Sequence, residues 1–124
     1  MGSIFGIGTD VIEISRFRNI NFDRLSKRVL TSLEFIEFEK SRNKSFFLAK
    51  KFSMKESVAK AFGVGIGGRL SFLDIEISKD NLGKPLCYIK NGRDIVIVKS
   101  QTKIHITSSD TKTLISTNCV VEII

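Results

Sequence analysis

The stretch that most constrains this chain runs from Phe46 to Gly68. Its apolar spacing predicts a helix from about Phe46 to Phe62, with Phe47, Met54, Val58, Ala61 and Phe62 on one side at about 100° per residue. Glu56 and Lys60 share another side, one turn apart. A glycine-rich exit follows at Gly63, Gly65, Gly67 and Gly68. Lys51 and Lys55 project into the arc that apolar residues otherwise fill. Two readings are open: stems that lie on apolar surface with the ammonium groups reaching water, or two fixed cations awaiting an anion near a carboxylate. The glycines favour the second, because they let a backbone approach a ligand closely.

Around this helix the pattern is mixed. Ile4 to Ile14 predicts a buried strand, and its glycines, Gly6 and Gly8, mark a close backbone approach. Asp10 and Glu13 sit among its apolar residues, where a carboxylate needs a cation, a metal or hydrogen-bond donors. The alternative for each is a cap at a strand end or helix start. Between Arg16 and Leu30, arginines and lysines alternate with apolar residues as in short helices, either as a solvated face or as a docking surface. Thr31-Ser32-Leu33-Glu34 has the form of a capping box, so a helix starts there and ends near Arg42-Asn43; the long helix begins at Lys44 or Ser45. After Gly68, short strands are expected at Leu70–Ser78, Leu86–Ile89, Ile95–Val98, Lys103–Ser108 and Leu114–Ile124. Turns join them at Asp80 to Pro85, Asn91-Gly92 and Asp110 to Thr113. Strand, helices, then antiparallel strands make an α+β domain, an antiparallel sheet with helices packed on one face. At 124 residues it is a single domain, 1–124, or a subunit whose core neighbours complete.

Net charge is +7 and pI about 9.7, which favours an acidic partner: nucleic acid, an anionic membrane, an acidic protein or a phosphorylated small molecule. The charges are spread from Arg16 to Lys112, which excludes a basic tail. Cys87 and Cys119 lack zinc-type spacing and suit reduced thiols in packed strands. No apolar run is long enough to span a bilayer and no signal peptide is visible, so the expected location is cytoplasmic. A P-loop is excluded, because the glycines follow a helix instead of opening one. No GxSxG elbow occurs, and the sole histidine, His105, alternates with Ile104 and Ile106 as an outward strand residue. What remains is the acidic pair Asp10 and Glu56 in a lysine-rich surround. Two carboxylates suit a hard cation such as Mg²⁺, which binds through one or two of them plus phosphate oxygens and water. That constellation points to chemistry at a phosphate. A basic nucleic-acid module is the competing class, though no RNP-like, helix-turn-helix or zinc pattern is present.

Two segments carry a resemblance. Gly6-Ile7-Gly8-Thr9-Asp10-Val11-Ile12-Glu13-Ile14-Ser15-Arg16-Phe17, and Phe47-Leu48-Ala49 through Phe52-Ser53-Met54-Lys55-Glu56 to Lys60-Ala61-Phe62-Gly63-Val64-Gly65, closely resemble the signatures of the holo-acyl-carrier-protein synthases, the small bacterial phosphopantetheinyl transferases. Arg28-Val29-Leu30-Thr31, Phe72 to Ile77 and Gly83-Lys84-Pro85 support it, and the likeness covers nearly the whole chain in order.

The resemblance implies transfer of phosphopantetheine from coenzyme A to a serine of acyl carrier protein in fatty acid biosynthesis, with adenosine 3′,5′-bisphosphate released. It implies Mg²⁺ held by Asp10 and Glu56, with Glu56 or a water as the base, and Lys60 stabilising charge on the pyrophosphate or leaving group. Lys51, Lys55, Lys60, Gly63, Gly65, Lys84, Pro85 and Thr107 fall on segments that contact coenzyme A in the family. Arg16, Arg24, Arg28 and Phe52 are the implied contacts to the acidic carrier. The family is typically a homotrimer with active sites between subunits, which would set the first strand of one chain against the long helix of another. Neither nucleic acid nor membrane is an implied partner. One departure stands out: in Thr107-Ser108-Ser109-Asp110, the aspartate replaces a histidine usual in the family. An acid there would repel a phosphate unless turned away, leaving open a homologue that binds coenzyme A without turnover.

Overall fold

The computed structural model describes residues 2–90 and 102–124. The strand expected at Ile95–Val98 and the Asn91-Gly92 turn lie outside the described residues. Strand β1 (Ser3–Glu13) runs into a 3-10 turn at Ile14–Phe17, followed by helices α1 (Phe22–Val29), α2 (Ser32–Lys40) and α3 (Lys44–Ala61). A second 3-10 turn at Phe72–Asp74 leads to β2 (Ile75–Lys79), β3 (Pro85–Ile89), β4 (Thr102–Asp110) and β5 (Leu114–Ile123). Among the described residues the strands pair antiparallel in the orders β1-β5-β4 and β2-β3. The domain is therefore α+β, as the strand-helix-strand order implies.

Local chemistry explains the boundaries. Thr31 caps α2, and its backbone N–H is accepted by Glu34 in a complete capping box. That helix stops at Lys40, short of Arg42-Asn43. Asn43 caps α3 through the Phe46 N–H. At the other end, Gly63 takes a φ of +78°, the Gly63 N–H bonds the Lys60 carbonyl, and the Val64 N–H reaches back to the Ala59 carbonyl. This paired closure needs a left-handed residue after the helix, which glycine adopts without Cβ strain. Period-two alternation from Phe72 is broken at its start: Ser71 and Asp74 close a capping box around the 3-10 turn, and strand geometry begins at Ile75.

Helix α3 is the hub. One core packs Met54, Val58, Ala61 and Phe62 against Ile75 and Ile77 of β2, Ile106 of β4 and Cys119 and Val121 of β5. A second gathers Leu48 and Ala49 with Ile12, Phe17, Val29, Phe38 and Ile115. The helix lies hard against β1. A Cβ on Gly6 would overlap the Ala61 carbonyl, and one on Gly8 the Ser57 carbonyl. The close approach signalled by those glycines thus exists, and the approaching element is the chain's own α3. Within one chain, therefore, β1 already faces the long helix. Both cysteines are free thiols, and burial pushes each up to about 12.

Candidate active site

Ser53, Glu56 and Lys60 recur at three and four residues along α3, so they line one stripe, and that stripe faces β1 at Asp10. Lys60 Nζ donates to the Thr9 carbonyl at 2.9 Å and lies 3.4 Å from Asp10 Oδ1. Ser53 Oγ donates to Asp10 Oδ2 at 2.8 Å. Glu56 is half-buried, and its carboxyl is raised above the usual glutamate range by burial and by the Asp10 charge, with Lys60 opposing. Two carboxylates thus repel each other, and among the described residues the half-exposed Lys60 ammonium is the cation beside them. Among the described residues the arrangement is short of positive charge.

This set fits a hard divalent cation. Its donors are two carboxylates, and no group of three or more histidine, cysteine or acidic side chains gathers among the described residues. A soft or tetrahedral metal is therefore poorly served, while a cation that keeps water and phosphate oxygens in its shell is well served. A cation would also offset the Asp10 charge that, after burial, raises Glu56.

Lys51 and Lys55 sit elsewhere. They lie about 150° around α3 from the Ser53–Glu56–Lys60 stripe, at about 100° per residue. Lys55 is fully buried, and its Nζ donates to the Val29 carbonyl (2.7 Å), the Phe72 carbonyl (3.0 Å) and Glu34 Oε1 (2.6 Å). All three of its donors are satisfied within the chain. Glu34 is equally occupied: Oε1 also accepts the Thr31 N–H and Oε2 accepts the Ile77 N–H. Burial lowers the Lys55 amine from the ordinary lysine range, with Glu34 pulling the other way. Lys55 therefore neither snorkels nor awaits a ligand, which corrects its assignment to coenzyme A. Its anion is Glu34, which the capping pattern alone did not reveal as a charge partner. Lys51 Nζ turns inward to the Ile77 carbonyl at 2.9 Å and lies over the Phe47 ring. Burial lowers its amine too, with Glu34 and Glu37 opposing.

The remaining candidates divide. Lys51 and Pro85 share a pocket of about 130 Å³ with Phe46, Phe47, Lys50, Met54 and Gly83. Lys84 is exposed in the turn beside it, where the Asp80 carboxylate accepts the Leu82 and Lys84 N–H groups. Gly63 and Gly65 leave open space where a Cβ would point. Thr107 is exposed on β4 next to buried Ile106, so it lies on the sheet face turned away from α3 and does not reach Lys60 within one chain. Asp110 lines a shallow depression with Arg18, Ser45 and Lys112. Arg16 is exposed on the 3-10 turn after β1, and Arg24, Lys27 and Arg28 rim a depression on α1. Phe52 is wedged between Phe17 and Phe72, with ring centroids at 5.4 and 5.0 Å. It packs against the second core and stays partly exposed.

Comparison with known proteins meets this geometry. The model of the 4′-phosphopantetheinyl transferase superfamily matches residues 6–119. A holo-[acyl-carrier-protein] synthase of Pectobacterium carotovorum is 35% identical over 124 residues, covering 97% of this chain and 98% of that protein. The crystal structure of the holo-(acyl-carrier-protein) synthase of Bacillus anthracis in complex with CoA (3′,5′-ADP) superposes with a TM-score of 0.85 at 32% identity, covering 98% of each chain. The acyl carrier protein synthase of Plasmodium yoelii with ADP bound gives 0.86 at 33%, covering 98% of this chain and 97% of that one. The chain belongs to the 4′-phosphopantetheinyl transferase superfamily, in its holo-[acyl-carrier-protein] synthase branch.

Proposed function

We propose that this protein is a Mg²⁺-dependent holo-[acyl-carrier-protein] synthase, formed by a single transferase domain over residues 1–124. The observation that carries the reading is the cation-deficient pair Asp10 and Glu56 with Lys60 beside it, on the segments that match the family. Asp10 and Glu56 would hold the Mg²⁺, which when bound neutralises pyrophosphate oxygens of coenzyme A. The carrier serine Oγ attacks the phosphorus attached to pantetheine, and the bond to the bridging pyrophosphate oxygen breaks. Phosphopantetheine is then esterified to serine, and adenosine 3′,5′-bisphosphate leaves. The serine proton passes to Glu56, or to water beside it. The raised affinity of that carboxyl for a proton suits a base. Lys60 stands where negative charge grows on the leaving phosphate.

Coenzyme A reaches this centre over the open glycine exit at Gly63 and Gly65, with Lys84 and the Lys51–Pro85 pocket as further contacts. Arg16, Arg24 and Arg28 form the docking face for the acidic carrier, and steer its approach. The protein works as a homotrimer. Its sheet supports this, because Ile7 and Val11 on β1 are 72% and 64% exposed and Leu114 extends the apolar surface onto β5. In such an assembly Thr107, turned from its own α3, serves a neighbour's site. The enzyme acts in the cytoplasm in fatty acid biosynthesis.

The test is intact-mass spectrometry of an apo acyl carrier protein incubated with this protein, coenzyme A and Mg²⁺. The expected result is a gain of one phosphopantetheine, lost when Mg²⁺ is chelated. No gain with a carrier that another synthase modifies overturns the reading.

A further inference from the structure

Asp10 is held from behind by hydroxyls that no step of the proposed reaction uses. Ser53 is fully buried on α3, one turn before Glu56. Its Oγ carries one proton, and Asp10 Oδ2 at 2.8 Å accepts it. Behind Ser53 stands Thr117 of β5, also fully buried and paired in register with Asp10. Thr117 Oγ1 lies 2.9 Å from Ser53 Oγ and 3.0 Å from the Ser53 carbonyl. The Ser53 proton is already given to the carboxylate, and the Thr117 hydroxyl, which also carries one proton, donates it to the Ser53 carbonyl with Ser53 Oγ as the neighbouring acceptor. The Thr117 carbonyl in turn accepts the Thr9 hydroxyl at 3.2 Å, tying Thr117 back to β1.

This chain has a direction. Thr117 donates to Ser53, Ser53 donates to Asp10, and the series ends on one oxygen of one carboxylate. The two Asp10 oxygens are thereby made unequal. Oδ2 is tied inward by a short bond from a buried hydroxyl. Oδ1 has the longer 3.4 Å contact to Lys60, whose side chain is 53% exposed. A carboxylate fixed in this way offers a single oxygen in a set direction. Mg²⁺ demands near-octahedral ligand placement and tolerates a swinging ligand poorly. Partners behind a metal ligand hold its orientation and typically set 10–100-fold in metal affinity.

The geometry points to Ser53, backed by Thr117, as the positioning residue that presents Asp10 Oδ1 to the metal. This rests on the metal-pair reading above and adds two residues to it. Neither touches the substrate, so both act through Asp10.

The experiment measures Mn²⁺ binding by electron paramagnetic resonance, with coenzyme A present and no carrier, so that no turnover is involved. The Mg²⁺ concentration giving half-maximal transfer is measured in parallel. Ser53→Ala is expected to weaken Mn²⁺ about tenfold and to raise the Mg²⁺ requirement similarly, with a smaller fall in kcat at saturating Mg²⁺. Thr117→Val, which keeps the shape and removes the hydroxyl, is expected to weaken Mn²⁺ about threefold, whereas Thr117→Ser keeps the hydroxyl and stays within about twofold of wild type. A packing role reverses that last order, because serine leaves a cavity and valine does not. Wild-type Mn²⁺ affinity in Ser53→Ala, or in Thr117→Val where Ser53→Ala does not fold, overturns the positioning role while leaving the metal pair standing. Failure of the wild-type protein to bind Mn²⁺ overturns both.

Discussion

Helix α3 carries two pairings of lysine with carboxylate, and they behave in opposite ways. On one side, Lys55 meets Glu34 at 2.6 Å with side chains 0% and 1% exposed, and the donors and acceptors of both are filled. About 150° around the helix, Lys60 meets Asp10 at 3.4 Å beside Glu56, with the lysine exposed and two negative charges to one positive. Residue type does not separate these clusters; saturation does. A saturated ion pair can only hold elements together: here α1, α2, the 3-10 turn at Phe72 and β2 are tied to α3 through Val29, Thr31, Phe72 and Ile77. An unsaturated one retains affinity for something from outside, and its charge imbalance states the sign of what it lacks.

The sharpest break in this comparison comes from the unsaturated side. Asp10→Asn and Glu56→Gln are each expected to lower turnover by roughly a thousandfold or more while the fold persists. Near-normal rates in either variant, measured by phosphopantetheine transfer, contradict the metal pair. On the saturated side, Lys55→Met leaves the Glu34 charge buried without its partner. Chemical denaturation is expected to show a loss of about 3–5 kcal/mol. Gly8→Ala tests the surface that joins β1 to α3: its Cβ meets the Ser57 carbonyl, so a loss of about 1–3 kcal/mol is expected, with transfer reduced as Asp10 moves away from Glu56. Arg16→Glu should raise the carrier KM about tenfold, or ~1.4 kcal/mol, with coenzyme A affinity unchanged. Equal loss of both, with an intact fold, contradicts a docking role.

The smallest effect concerns pH. The folded-state pKa of Glu56 lies above its ordinary value of 4.5, so the charged form opposes folding and its cost appears as pH rises through that folded value. In metal-free protein, Glu56→Gln is therefore expected to raise Tm at neutral pH, and the gain is expected to vanish below about pH 4. A Tm lowered at neutral pH contradicts the account in which burial and the Asp10 charge penalise ionised Glu56.

Much of this was legible in the chain because it is local. The span of α3, its glycine exit at Gly63 and the Thr31–Glu34 box are patterns of adjacent residues acting on their own backbone. Gly6 and Gly8 announced a close approach. Asp10, Glu56 and Lys60 were legible as a group through the family resemblance, and the fold brings them together. What escaped depended on partners far away in sequence. Lys55 finds its acceptors at Val29, Glu34 and Phe72, and Lys51 at Ile77. No helical wheel shows a carbonyl from another element, so both lysines looked available for an anion. Ser53 looked like an ordinary helix residue until β5 placed Thr117 behind it and β1 placed Asp10 in front. The packing partners of Phe52, Phe17 and Phe72, lie 35 and 20 positions away, so no local pattern shows them.

The most direct test pairs the two sides of α3 in one assay. Glu56→Gln and Lys55→Met are each held well below their own Tm, and single-turnover transfer to apo carrier protein is followed by intact mass. The account predicts a Glu56→Gln protein that melts no lower than wild type and transfers nothing. It predicts a Lys55→Met protein that melts much lower yet still transfers while folded. A stable, inert Lys55→Met protein, or an active Glu56→Gln protein, would contradict the division between the cluster that holds the fold and the cluster that acts.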